Sequence, residues 1–119
     1  MLIFTPSETS FRILERHLAR LPESELHWHS DTIEALADIF MSRPLLLVVF
    51  GDNNAETLAF IRLVRNNSQF RELPVFAVLP EPERLGQRLG RRMNIERFGT
   101  PLDASLLYAK ALAVIEGKR

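Results

Sequence analysis

Residues Leu45 to Phe50, Leu-Leu-Leu-Val-Val-Phe, are six consecutive apolar positions, opened by Arg43-Pro44 and closed by Gly51-Asp52-Asn53-Asn54. A run this short with no polar alternation has no face to give to water. It predicts a strand buried on both sides, as in a parallel sheet covered by helices. The rest of the chain must then supply neighbouring strands and a helical layer on each face. In open sheets of this kind ligands and chemistry collect just beyond the carboxyl ends of the strands, so an active site is expected near Phe50 to Asn54.

The flanking sequence has the required alternation. Leu2-Ile3-Phe4 is a short apolar strand, and Thr5-Pro6-Ser7-Glu8 starts a helix with a carboxylate in its first turn. Phe11, Leu14, Leu18 and Leu21 recur at helical spacing, with Arg12, Glu15, Arg16 and Arg20 on the other face. Glu25 to His29 reads as a second strand with Leu26 and Trp28 on one side, and Ser30 or Asp31 caps a helix whose apolar stripe is Ile33, Leu36, Ala37, Phe40 and Met41.

Beyond the central strand, a helix is expected over residues 55–67, with Leu58, Ile61 and Val64 inward and Phe60 and Leu63 widening that face. A polar connection over 68–73 leads to a second buried strand, Pro74 to Leu79. Two such strands separated by a helix require a right-handed parallel crossover. Pro80-Glu81-Pro82-Glu83 opens a fourth helix, weakened by Gly86 and Gly90. Ile95 to Gly99 is the last strand, and Leu102 to Glu116 the closing helix, with Asp103 near its start.

Composition narrows the function classes. A chain of 119 residues, 46% hydrophobic and 25% charged, suits one domain with one core. Fifteen basic and fifteen acidic residues cancel, which removes the general attraction used by nucleic-acid or membrane-surface binders, and neither partner is expected. There is no cysteine, hence no disulfide, thiolate nucleophile or thiolate metal site. No apolar run approaches the roughly 20 residues of a membrane helix, and a cytoplasmic location is expected.

The layout resembles, over essentially the whole chain, the receiver domain of bacterial response regulators. The likeness rests on five strand-helix units, on Leu2-Ile3-Phe4 followed by Arg12, on Leu73-Pro74-Val75, and on Thr100-Pro101-Leu102-Asp103 after the last strand. It implies a single doubly wound α/β domain of five strand-helix units over residues 1–119, with a parallel sheet in the CheY-like order 2-1-3-4-5. The domain would stand alone or form the amino-terminal part of a longer regulator.

The resemblance also implies a site: an acidic pair after strand one that holds magnesium, a phosphoacceptor aspartate ending strand three, a hydroxyl ending strand four, and a lysine before the proline after strand five. Here the acidic pair falls on Thr5 and Pro6, the phosphoacceptor on Val49 or Phe50, the hydroxyl on Leu79 and the lysine on Thr100. Thr5 and Pro6 offer no carboxylate to a hard dication, and neither Val49 nor Phe50 can act as a nucleophile. The aromatic residue that usually responds to phosphorylation falls on Arg97, and Thr100-Pro101 stands where a cis peptide is common. No cofactor, metal or catalytic activity is expected.

Asp52 lies two residues past the central strand and is the alternative phosphoacceptor; turn and cap preferences give Asp52-Asn53-Asn54 a structural role instead. His27 and His29 share a face of strand two but lack a third metal ligand, and nothing fixes His17 or Asp31 beside them.

With the strand ends inert, surfaces carry the remaining signal. Arg84, Arg88, Arg91, Arg92 and Arg97 concentrate positive charge around the fourth helix and fifth strand. The closing helix carries Leu102, Leu106, Leu107, Tyr108, Leu112 and Ile115, more than one stripe can bury; Leu107, Ala111 and Val114 form its expected core set, with Leu106 and Leu112 outward. That flank, commonly used by receivers for dimerisation and docking, is the expected interface. The expected function is a phosphorylation-independent, receiver-like regulatory module in bacterial signalling or transcription control, contacting a protein partner, a linked output domain or a second copy. The alternatives are an atypical receiver phosphorylated on Asp52 and, with no Gly-rich fingerprint after strand one, a nucleotide binder.

Overall fold

The computed structural model describes residues 1–21, 25–51, 54–79, 95–100 and 102–117. These contain five strands, β1 (Leu2–Phe4), β2 (His27–His29), β3 (Leu47–Phe50), β4 (Val75–Val78) and β5 (Ile95–Phe98). Four α-helices are described with them: α1 (Glu8–Leu18), α2 (Thr32–Ser42), α3 (Asn54–Arg65) and α4 (Ala104–Gly117), plus a 3₁₀ turn at Ser68–Phe70. The helix expected after Pro80 lies outside the described residues, as do Asp52 and Pro101.

The strands form one sheet in the order β2-β1-β3-β4-β5, every pair parallel, which is the expected topology. Phe4 pairs with Val49, Phe50 with Val78, and Val78 with Phe98, so the carboxyl ends of the strands finish nearly level. Alternation along each strand divides the core in two. Ile3, Val48, Phe76, Val78 and Phe98 pack with Phe11, Leu14 and Leu18 of α1 and with Leu107, Ala111 and Ile115 of α4. Leu2, Leu47, Val49, Val75 and Ala77 pack on the other side with Ala35 and Ile39 of α2 and Phe60, Ile61 and Val64 of α3. The central run is thus buried on both faces, although the strand begins at Leu47 and Leu45 is 45% exposed.

Local chemistry sets the helix ends. Ser7, Asp31 and Asp103 accept hydrogen bonds from the amides of Ser10, Glu34 and Leu106 at 3.3, 3.0 and 3.1 Å, each satisfying an orphan donor of a first turn. At the end of α2, Arg43 turns into the left-handed region at φ 47° and donates its amide to the Ile39 carbonyl, and Pro44 follows.

Three sequence expectations about packing are corrected. The buried positions of α2 are Ala35 and Ile39, with Leu36 packed beside them, whereas Ile33 and Met41 are 77% and 85% exposed and Phe40 is half out. Asp38 shares the sheet-facing side of the helix with Ala35 and Ile39 and bonds two imidazoles of β2. In α4 the core set is Leu107, Ala111 and Ile115, because Ile115 lies one turn from Ala111, and Val114 is only partly buried. The connection over 68–73 buries Phe70 and Leu73, and the guanidinium of Arg65 reaches both of their carbonyls at 2.6 Å.

Candidate functional site at the strand ends

Parallel strands finishing level bring the carboxyl ends of β1, β3, β4 and β5 to one edge, where Thr5, Pro6, Val49, Phe50, Leu79 and Thr100 can be located. Thr5 is fully buried; its hydroxyl accepts from the Ser7 amide at 3.4 Å, and its carbonyl accepts from the Trp28 indole at 3.1 Å. It serves as a structural tie between β1, β2 and the start of α1. Pro6 beside it is exposed. Val49 is fully buried on the α2/α3 side, while Phe50 packs on the opposite cluster. Whichever of the two occupies the phosphoacceptor position, a hydrocarbon fills it. Leu79 is fully buried and its amide extends the sheet by donating to Phe98, at 2.9 Å. Thr100 is exposed just past β5.

The sequence order reverses between β1 and β3, and a cleft of about 340 Å³ opens at that crevice. Phe4, Val49 and Phe60 line it, with Pro6, Ala59 and Leu63 at its margins. Phe4 and Phe60 stack with centroids 4.0 Å apart and planes 7° from parallel. Ser30, Thr32, Glu56 and Thr57 supply the polar lining, and the described lining contains no arginine or lysine. Thr57 is 2% exposed, and its hydroxyl is the buried side-chain group without a hydrogen-bond partner among the described residues. Sequence reasoning passed over Thr57, although its spacing from Phe60, Ile61 and Val64 puts a hydroxyl inside an apolar stripe, which is a legible signal.

Away from the strand ends, His27 Nδ1 and His29 Nε2 converge on Asp38 Oδ2 at 2.8 and 2.6 Å. The carboxylate that completes this group comes from α2. Hydrogen bonding to Asp38 raises the His27 pKa, against the effect of burial, and Glu25 at 3.2 Å adds to the rise. Burial pushes the Asp38 carboxyl up, but the bonds from His29 and His27 outweigh it and leave the group below its ordinary value. Among the described residues no set of three or more histidine, aspartate or glutamate side chains is arranged to hold a metal ion.

On the expected interface flank, Arg84, Arg88, Arg91 and Arg92 lie outside the described residues. Arg97 is partly buried on β5. Glu96 pairs with Lys110 at 3.0 Å, linking β5 to α4 at the surface. Leu106 is 45% exposed, whereas Leu102, Tyr108 and Leu112 are partly buried against the inner cluster. The outward placement expected for Leu112 is therefore corrected, and the exposed apolar contribution of α4 narrows to Leu106. No helix of the described residues is long and apolar enough to cross a membrane.

No protein-family model and no curated protein matches the sequence. Solved structures do match. The chemotaxis response regulator CheY4 of Vibrio cholerae superimposes with a TM-score of 0.75 at 20% identity, covering 95% of each chain. A response regulator from Desulfuromonas acetoxidans gives 0.74 at 14% identity, over 99% of this chain and 97% of that one. A two-component transcriptional regulator AraC from Clostridium phytofermentans gives 0.65 at 14% identity, over 97% and 90%. Together with the strand order, these likenesses establish that the chain has the CheY-like fold of response-regulator receiver domains.

Proposed function

We propose that the protein is a receiver-like regulatory module that acts through protein contacts and without phosphorylation. The carrying observation is the filled strand edge: buried Val49, packed Phe50 and buried Leu79 occupy the positions where phosphoryl chemistry would need a nucleophile and a hydroxyl. Thr5 and Pro6 offer no carboxylate for magnesium, and Thr100 offers no cation to stabilise the transferring group. Such a domain has no catalytic activity of its own. Its output passes to a protein partner or a linked output domain, or to a second copy, through β5, α4 and the arginine-rich segment before β5. Exposed Leu106 on α4 supports that flank, and Arg84, Arg88, Arg91 and Arg92 precede β5 in the sequence.

Addition of beryllofluoride with magnesium, followed by amide NMR, is the direct test. No spectral response is expected. A magnesium-dependent response that disappears in Asp52→Asn would replace this reading with that of an atypical receiver phosphorylated on Asp52.

A further inference from the structure

Helix α2 presents to solvent the kind of face that a sheet-covering helix ordinarily buries. Its inward side consists of Ala35, Ile39 and the carboxylate of Asp38, with Leu36 at the margin. Ile33, Ala37, Phe40 and Met41, spaced at i, i+4, i+7 and i+8, form one exposed apolar stripe on the opposite side. Ile33 and Met41 are the two most exposed large hydrophobic side chains among the described residues. Phe40 is held by an edge contact to Phe70, with ring centroids 5.2 Å apart and planes at 77°, and still shows half of its surface to water. Leu63 of α3 extends the patch across the groove that Leu36 and Phe40 share with Val64. Single exposed apolar residues are ordinary, but a contiguous patch built on phenylalanine and methionine has the composition of an interface centre.

The stripe is symmetric about Ala37, because Ile33 and Met41 each lie four residues, about one turn, to either side of it. An antiparallel second copy of α2 centred on the same residue sets Ile33 against Met41 twice and Ala37 against Ala37, with the small residue where the helix axes come closest. Charge follows the same symmetry. Asp31 and Glu34 stand at the amino end of α2 and Arg43 at its carboxyl end, all three exposed and none in an ion pair among the described residues. Antiparallel pairing brings the acidic end of each helix to the basic end of the other, whereas parallel pairing would set like charges together. We propose that the protein self-associates through the outer face of α2, as a two-fold antiparallel pair of these helices with Ala37 on the axis. The surface lies on the layer of the sheet opposite α4, so it is separate from the β5/α4 flank, and each holds whether or not the other does. A helix about 16 Å long gives an interface at the small end of the specific range, so the dimer is expected to form in the micromolar range.

Sedimentation equilibrium over about 1 to 500 μM measures the association, and a monomer–dimer equilibrium is expected. Met41→Glu sets a carboxylate against Ile33 of the second copy and should weaken the dimer at least about ten-fold. Met41 is almost fully exposed in the monomer, so the variant should keep the circular dichroism spectrum of the parent. The chain has no cysteine, so Ala37→Cys installs a single exposed thiol on the axis; oxidation with diamide should link it into a covalent dimer. Arg16→Cys, exposed on α1 in the other layer, is the control and should remain monomeric under the same treatment. The proposal is overturned if the parent stays monomeric throughout the series, or if folded Met41→Glu associates as the parent does. Equal cross-linking of the two cysteine variants would trace the covalent dimer to random collision and would overturn it as well. Association lost in Leu106→Glu and kept in Met41→Glu would place the second copy on the β5/α4 flank instead of on α2.

Discussion

His27 Nδ1 lies 2.8 Å from Asp38 Oδ2, and this contact joins the edge strand β2 to α2. The same oxygen takes His29 Nε2 at 2.6 Å, so one carboxylate clamps two residues of a three-residue strand. The partly buried amino terminus belongs to the same surroundings. Its nitrogen donates to the Glu25 carbonyl at 3.1 Å, and burial lowers its pKa despite the nearby carboxylates of Glu25 and Asp38.

The clamp makes stability depend on pH. His27 has a raised pKa in the fold, so its contribution is complete below the ordinary histidine value of about 6.5 and is lost as pH rises through the raised one. Asp38 has a lowered pKa, so its contribution is present above about 3.9 and is lost as pH falls through the lowered value. The pair is therefore strongest between about pH 4 and 6.5. Asp38→Asn should cost on the order of 1–2 kcal/mol at pH 5.5 and distinctly less at pH 9, read by urea unfolding. Equal costs at the two pH values would mean that the contact works as a neutral hydrogen bond only.

Arg65 is expected to be among the costliest surface-distant polar residues to remove. It is 9% exposed, and its two terminal nitrogens reach the carbonyls of Phe70 and Leu73 at 2.6 Å. Burial alone lowers its pKa. Truncation removes the guanidinium bonds to both carbonyls in the turn between α3 and β4, leaving that of Phe70 with the Leu73 amide at 3.4 Å, at about 1–3 kcal/mol for each lost bond. Arg65→Ala should therefore lose roughly 2–5 kcal/mol in chemical denaturation. Arg65→Lys should recover only part of that, because an ammonium lacks the planar fork that spans both acceptors.

The sequence was most legible where one physical demand acted alone. The unbroken apolar runs at 45–50 and 75–79 could only be doubly buried strands, and caps at Ser7, Asp31 and Asp103 could be read because each needs only its own first turn. The phase of α2 was not legible. Apolar residues occur on most of its sides, and the side that faces the sheet carries Asp38, whose two histidine partners come from another element. Arg65 was equally hidden, since its acceptors are backbone carbonyls that carry no sequence signal. At the strand ends, the residue standing at each position where the resemblance implies phosphoryl chemistry could be read directly. The cleft was not, because a volume depends on how Phe4, Phe60 and Leu63 fill space together.

Arg43 ends α2 with φ 47° and ψ 67°, a left-handed conformation in which a Cβ crowds the following carbonyl. Glycine adopts it freely and is the usual residue at this point of a helix. Arg43 is exposed, so little packing is lost on substitution. Arg43→Gly should accordingly raise stability by about 0.5–1 kcal/mol, measured as a higher urea midpoint with an unchanged slope. A lower midpoint would mean that the aliphatic part of the arginine contributes more than the strain costs.

Leu106 and Leu112 separate an interface effect from a folding effect. Leu106 is 45% exposed in the first turn of α4, where a carboxylate is compatible with the helix dipole, so Leu106→Glu should change stability by no more than about 0.5 kcal/mol. Leu112 sits one and a half turns on, half-buried against the cluster formed with α1. Leu112→Glu forces a charge toward that cluster and should cost roughly 1–3 kcal/mol. If the β5/α4 flank docks a second copy or a partner, Leu106→Glu should weaken that association in sedimentation while the melting temperature stays put. Loss of association in Leu112→Glu alone, accompanied by a lower melting temperature, would trace the effect to damaged packing and remove Leu106 from the interface.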